Sequence, residues 1–264
     1  MTHDRFPATP VVVTSAASGI GARTAELLAE QGARVVCADS DGPRVERVAD
    51  DIRRQGGTAL AHAVDVTSSE ELEALAARCV AAFGSIGGLV TSAGISGYGT
   101  AAELDQATWD RVLAVNLTGT WLSVRAVLPA MLEAGGGAIV TLGSIAGLVG
   151  TPLATCYAAS KAGVIGLTRQ LAVDYGPLGI RANVVCPGTV PTPLVARGLR
   201  IKGALDDDDV RAELEQRARR FPLRRLGTVD DVAHLITYLL SGEAAWTTGA
   251  VHPVDGGLTA AGWT

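Results

Sequence analysis

Along the chain, short apolar runs of strand length alternate with longer segments in which apolar residues recur every three or four positions. Pro10–Thr14 (PVVVT), Arg34–Ala38 (RVVCA), Thr58–Val64, Ile86–Thr91, Ala138–Leu142 (AIVTL), Arg181–Cys186 (RANVVC) and Ala250–Val254 read as strands. Helical spacing predicts helices over Ile20–Gln31, over the polar stretch carrying Val45, Val48, Ala49 and Ile52, and over Ser68–Phe83. Three more are predicted over Thr108–Glu133, Tyr157–Tyr175 and Val229–Leu240, with Gly56-Gly57 and Gly135-Gly136-Gly137 as stops. Strands this rich in valine and isoleucine, joined through helices, are buried on both faces. The fold class is therefore α/β, a single doubly wound parallel sheet of Rossmann-like type with helices on both faces. Right-handed crossovers gather the strand ends, and with them a ligand crevice, at one edge.

Residues 188–227 break the alternation. They contain no strand, and a segment of that size in a compact domain is a lid or another functional loop. Asp206–Asp209 lead into Val210, Leu214, Ala218 and Phe221, and Arg217, Arg219 and Arg220 follow. Acids first and bases last suit the helix dipole, which predicts an amphipathic lid helix. No linker or repeat divides the chain, so residues 10–257 form one domain between a flexible tail, 1–9, and a second tail, 258–264. Trp263 in that second tail is expected to cover a neighbouring subunit's site.

Composition narrows the function classes. With 264 residues, 48% of them hydrophobic, the core needs neither disulfides nor metal to hold it. A net charge of −5 argues against nucleic acid and anionic membrane as partners. Cys37, Cys79, Cys156 and Cys186 form no C-x-x-C pair and three of them lie in or beside apolar runs, as buried thiols in a reducing, cytoplasmic compartment do. No apolar run is expected to span a membrane, and the N-terminus lacks a signal-like core. His3, His62, His234 and His252 show no metal-ligand spacing, so no metal is expected.

Candidate chemistry begins at Thr14–Gly21, TSAASGIG, between the first strand and the first helix. There Gly19 and Gly21 let backbone approach a pyrophosphate at the helix start, with Ser15, Ser18 and Ile20 around them. Asp39, eighteen residues beyond Gly21 at the end of the second strand, can accept hydrogen bonds from both hydroxyls of an adenosine ribose. It would repel a 2′-phosphate, which selects NAD over NADP. Tyr157 and Lys161 stand one turn apart on one helix face. An ammonium so placed is expected to draw the phenol pKa down from about 10 towards the working range. Ser144, just past the fifth strand, can hydrogen-bond the substrate oxygen, and the Asn116 amide can hold a water that links Lys161 to solvent.

With these motifs the sequence resembles the short-chain dehydrogenase/reductases over Pro10 to about Gly257. TSAASGIG is similar to that family's T-G-x-x-x-G-x-G, with Ser15 in place of its first glycine. The resemblance implies that Asp65 and Val66 contact adenine. It implies that Ser92, Ala93 and Gly94 border the ribose where the family has N-N-A-G, with Thr91-Ser92 replacing two asparagines. Pro187, Gly188, Val190 and Thr192 would hold the nicotinamide carboxamide, and Val254–Gly257 matches the closing strand motif. Ser144, Tyr157, Lys161 and Asn116 would be the catalytic set of an oxidoreductase. It would move hydride between NAD and a secondary alcohol or ketone, as a homotetramer packed through the helices at 108–133 and 157–175.

Ile95, Tyr98, Ile145, Leu148, Val149, Leu153 and Leu194 should face a medium, mostly apolar substrate, with Arg197, Arg200 and Lys202 available to an anionic group. Two other readings stay open at this level: an NADPH-dependent ketoreductase of a biosynthetic pathway, and a dinucleotide-sensing or scaffold protein without turnover.

Overall fold

Consecutive residues of the first strand feed different cores. Val11 and Val13 pack into one apolar cluster and Val12 into another, as a strand with helices on both sides requires. The computed structural model describes residues 5–203 and 206–261. Its strands are β1 (Pro10–Thr14), β2 (Arg34–Asp39), β3 (Thr58–Ala63), β4 (Gly88–Thr91), β5 (Gly137–Leu142), β6 (Ile180–Pro187) and β7 (Val251–Val254). All pair in parallel, in the order β3-β2-β1-β4-β5-β6-β7. The order reverses between β1 and β4, and the crevice outside the carboxyl ends opens at that reversal.

One face of the sheet carries α1 (Gly19–Glu30), α2 (Gly42–Arg54) and α9 (Val229–Leu240), through Leu28, Ile52 and Ile236 among others. The other carries α3 (Ser69–Phe83), α5 (Gly119–Glu133) and α6 (Thr155–Tyr175), through Leu72, Val127 and Leu171. Several starts are capped as the sequence dictates. Asp41, Ser68 and Asp105 each accept a backbone N–H from the first turn, and Thr228 and Asp231 form a reciprocal capping box.

The structure corrects the long helix expected over 108–133. It is α4 (Gln106–Leu113), one π-helical turn (Ala114–Thr118) and α5, in unbroken succession. The widened turn falls where Asn116 reaches out of the helix to the backbone of Ile95, and such turns often mark functional positions. A second correction concerns membranes: Gln106–Glu133 is, by length and composition, long and apolar enough to span one. Its apolar residues Leu122, Val124, Val127 and Met131 are spent on the sheet, which accounts for it as a core helix.

The expected tail 1–9 is docked from residue 5 onward. Phe6 is buried, its N–H and that of Ala8 donate to the Gln31 and Gly32 carbonyls, and Arg5 pairs with Glu243. Residues 188–227 hold two helices rather than one, α7 (Pro193–Gly203) and α8 (Asp207–Ala218). Asp206 caps α8 as its acidic start implies, but within α8 only Val210 is buried, so the helix is polar on most sides. Phe221, expected on the apolar stripe, is buried beyond its end. His3 and Trp263 lie outside the described residues, as does the side chain of Lys202.

Candidate active site

The turn between β1 and α1 is built around the serine that replaces a glycine. Ser15 has φ +55, in the left-handed region where a side chain costs roughly 1–2 kcal/mol. That conformation turns the Ser15 carbonyl onto Gly21. A Cβ added there would overlap the carbonyl oxygen and stand 2.8 Å from its carbon. Gly19 has φ +59, and its Cβ would lie 3.2 Å from Thr192 Cγ2, so the segment after β6 closes over the turn. Ser18 is extended and caps α1 without committing its hydroxyl. The turn therefore demands glycine at both positions, and α1 begins at Gly19 with Ile20 between them.

Asp39 ends β2 facing this turn. Its carboxylate accepts the Ala17 N–H (3.1 Å) on one oxygen and the Asp41 N–H (3.0 Å) on the other. Each oxygen keeps lone pairs for a further donor. Arg23, the nearest cation in α1, is occupied by Asp230 (2.6 Å), Glu30 (2.9 Å) and Glu26 (3.3 Å). From Asp39 a cleft of about 410 Å³ runs past Ser15, Asp65 and Val66 to Ala93, Gly94 and Ile95. Its far wall includes Arg111 and Val115, which carry no motif of their own in the sequence; their signal is that both lie within one turn or so of Asn116. Asp65 accepts from the backbone and the hydroxyl of Thr67, and the Ser92 N–H donates to Thr14 Oγ1 (3.1 Å). A second hollow, about 460 Å³, lies at the base of the lid around Phe221 and the Arg225–Asp231 pair, away from every group of the expected catalytic set.

At the carboxyl ends of β4 and β5 the four expected catalytic residues converge. Ser144 is nearly buried, and its Oγ accepts the Ala146 N–H (3.1 Å), which leaves its proton to give. The 3-10 turn that follows is pressed onto α6: a Cβ at Gly147 would stand 2.8 Å from the backbone of Lys161 and Ala162. Lys161 is buried, with Nζ donating to the Leu142 carbonyl (2.8 Å) and lying 5.8 Å from the Tyr157 ring centre. Asn116 Oδ1 and Lys161 Nζ both border Gly94, 3.4 and 3.5 Å from where its Cβ would be.

Two expectations change here. Burial pushes the Tyr157 phenol up to about 12, against the pull of its hydrogen bond with Ser144. Burial likewise brings Lys161 down to about 8, so the lysine does not by itself hold the phenol near neutrality. Asn116 Nδ2 donates to the Ile95 carbonyl (3.0 Å) and to Ser160 Oγ (3.0 Å), and Oδ1 accepts the Ile95 N–H (2.8 Å). Both amide hydrogens are thus committed to protein, and only a lone pair on Oδ1 remains for water.

The segment after β6 is fixed from two sides. The Gly188 N–H donates to the Val254 carbonyl (2.9 Å) and the Gly227 N–H to the Thr189 carbonyl (3.1 Å), while Pro187 ends β6 and Val190 is buried. Leu148, Val149 and Leu153 are part exposed in the loop between Ser144 and Tyr157, and Leu153 is held at φ +62. Of the lid cations, Arg200 is paired with Asp207.

Comparison with known proteins gives consistent results. A family model described as enoyl-(acyl carrier protein) reductase matches residues 15–259. The chain is 45% identical over 259 residues to cis-4-hydroxycyclohexanecarboxylate dehydrogenase of Sinomonas cyclohexanicum, covering 97% of this chain and 99% of the other. It is 40% identical over 250 residues to 2-(S)-hydroxypropyl-CoM dehydrogenase 3 of Xanthobacter autotrophicus, covering 95% and 96%. A crystal structure of levodione reductase superposes with a TM-score of 0.92 at 32% identity, covering 98% of this chain and 99% of that one.

Proposed function

The chain belongs to the short-chain dehydrogenase/reductase family, and from that premise we propose that it is an NAD-dependent dehydrogenase of mostly apolar secondary alcohols, acting reversibly on the ketone. That it is an oxidoreductase of the secondary alcohol/ketone class follows from its relatives. The choice of NAD rests chiefly on one observation: Asp39 is aimed at the glycine turn while Arg23 is tied up in three ion pairs. A 2′-phosphate there would meet a carboxylate and find no free guanidinium from α1.

The residues fit a dinucleotide. Gly19 and Gly21 shape the tight turn at the α1 N-terminus, where a pyrophosphate would meet free N–H groups, Asp39 would take the ribose hydroxyls, and Asp65 and Val66 would border adenine. Ser92, Ala93 and Gly94 would line the path to Tyr157 and Lys161, and Pro187, Gly188, Val190 and Thr192 would hold the carboxamide. When bound, the nicotinamide supplies the hydride acceptor. The protein's own part is to hold the carbinol oxygen between Ser144 and Tyr157 and to move its proton. Ser144 donates to that oxygen, and Tyr157 takes the proton as general base or returns it as general acid. Lys161 keeps the phenolate company and would bind the nicotinamide ribose. Asn116 acts by fixing the Ile95 backbone and the widened turn, with one Oδ1 lone pair left for a relay water.

The test is a fluorescence titration with NADH and NADPH, followed by a panel of secondary alcohols with NAD. Tight NADPH binding and weak NADH binding would promote the ketoreductase reading. Binding of neither would remove the cofactor reading altogether. Asp39→Asn keeps an acceptor for Ala17 N–H and removes the charge. It is expected to cut the NAD over NADP preference in kcat/KM at least about tenfold, the worth of one charged hydrogen bond. An unchanged ratio would clear Asp39 of the selection.

The phenol's raised pKa gives a pH dependence with a definite sign. Its base form grows about tenfold per pH unit below about 12, so alcohol oxidation should accelerate with pH, and ketone reduction, which needs the acid form, should not. Initial-rate profiles in both directions measure this. A flat oxidation profile between about pH 6 and about pH 10 would deny Tyr157 the role of base.

We further place the enzyme in the cytoplasm, on four free and buried thiols, and assign it a homotetramer. In support of assembly, α5 and α6 expose Trp121, stacked under Arg125 at 4.9 Å, and Val173, 71% accessible. Light scattering of the purified protein would return the mass of four chains; a monomer would refute it.

A further inference from the structure

Gly198 sits inside α7, where glycine is disfavoured by about 1 kcal/mol against alanine. Its surroundings explain it. A Cβ at Gly198 would overlap the hydroxyl of Tyr98 and come within 3.1 Å of Cζ and 3.2 Å of Cε2. The lid helix therefore rests on the phenol of Tyr98 at a bare position in its middle. Tyr98 in turn stands on a backbone locked to the start of α6. The Gly99 N–H donates to the Leu153 carbonyl (2.9 Å), Thr155 Oγ1 donates to the Gly99 carbonyl (2.9 Å), and Gly99 bridges to Ala154. On its other side Gly97 is buried, with Cys156 Sγ 2.8 Å from where its Cβ would be. Tyr98 is thereby mounted on the segment that carries Tyr157, near enough for its charge to bear on the Tyr157 phenol.

Among the described residues the Tyr98 hydroxyl has no hydrogen-bond partner. The neighbouring loop 148–153 carries the apolar Leu148, Val149 and Leu153, with Thr151 its one hydroxyl. A fixed hydroxyl with both its donor and its acceptor free, at a mostly apolar mouth, discriminates among ligands by what it lacks. We infer that Tyr98 is a specificity-determining residue whose hydroxyl, positioned by Gly198, binds a second oxygen function on the substrate. The favoured substrates are then compact secondary alcohols with a hydroxyl or carbonyl set away from the carbinol, rather than simple hydrocarbon alcohols. This inference rests on the alcohol dehydrogenase reading above.

The experiment compares kcat/KM for cyclohexane-1,4-diol and cyclohexanol, with NAD, in the wild type, Tyr98→Phe and Gly198→Ala. The wild type should favour the diol beyond the statistical factor for two equal hydroxyls. Tyr98→Phe keeps the ring under α7 and should lower the diol-to-cyclohexanol ratio by about tenfold, through KM rather than kcat, the scale of one hydrogen bond. Gly198→Ala keeps the hydroxyl but displaces it and should lower the same ratio. A wild type with no diol preference, or a Tyr98→Phe ratio equal to the wild type's, would overturn the role of the hydroxyl. A wild-type ratio in Gly198→Ala would overturn its positioning by the lid. Absence of turnover with every secondary alcohol, despite NADH binding, would instead sink the dehydrogenase reading and this one with it.

Discussion

Tyr157→Phe is expected to lower kcat/KM for alcohol oxidation by about 10²–10⁴-fold while leaving NADH affinity nearly unchanged. The phenol is the one titratable group that shares a hydrogen bond with Ser144 and a helix turn with Lys161. Phenylalanine keeps the ring and the packing of α6 and deletes only the proton carrier. The loss is severe because the neighbouring Lys161 is already held by the Leu142 carbonyl. The profile should also lose its rise with pH. Steady-state kinetics beside a fluorescence titration separate chemistry from binding, and a loss below about tenfold would show that the proton leaves by another route.

The second large effect belongs to the cradle. Gly21→Ala is expected to weaken NADH binding by at least about 100-fold, near 2.7 kcal/mol, and to lower Tm by several degrees. The added methyl would meet the carbonyl of Ser15 and, at 3.3 Å, the amide of Ala16, and both are backbone. Nothing there can rotate aside. Ser15 is already in the left-handed region, so the turn has no slack to open without moving the N–H groups at the α1 start that would face a pyrophosphate. Gly242→Ala is the control, since no atom lies within 4 Å of the added carbon, and both measures should stay at the wild-type level. Equal behaviour of the two variants would mean that the turn does not carry the cofactor.

Most of this architecture is legible from pattern alone. Each strand appears within a few residues of its place, because buried parallel strands are written as unbroken apolar runs. The order of TSAASGIG, Asp39, Ser144, Tyr157 and Lys161 along the chain gathers them at one sheet edge, as parallel topology requires. What escapes the sequence depends on neighbours distant in the chain. The π turn at Ala114–Thr118 follows from a side-chain bond between residues 21 apart. The split of the lid into α7 and α8 and the docking of Phe6 depend on contacts no local period encodes. The phenol's elevated pKa is of the same kind. Spacing reveals that Lys161 is near Tyr157 but not that Lys161 is buried and Tyr157 partly so, and desolvation outweighs proximity. Gly198 has no signal at all except its own poor fit to a helix.

The reversal of strand order between β1 and β4 has a bearing on how the chain matures. Val11 meets Gly88 across that seam, and the Thr14–Ser92 hydrogen bond closes it, so the floor of the crevice joins segments that are synthesised far apart. Contacts of such long sequence separation form late, after the entropy of the intervening loop has been overcome. A dinucleotide that spans the seam binds only once it has closed, and each tenfold excess over its Kd adds about 1.4 kcal/mol to the assembled state. A coenzyme bound across the seam would therefore also act as a folding ligand, and the yield of native protein on refolding would rise with the dinucleotide supplied.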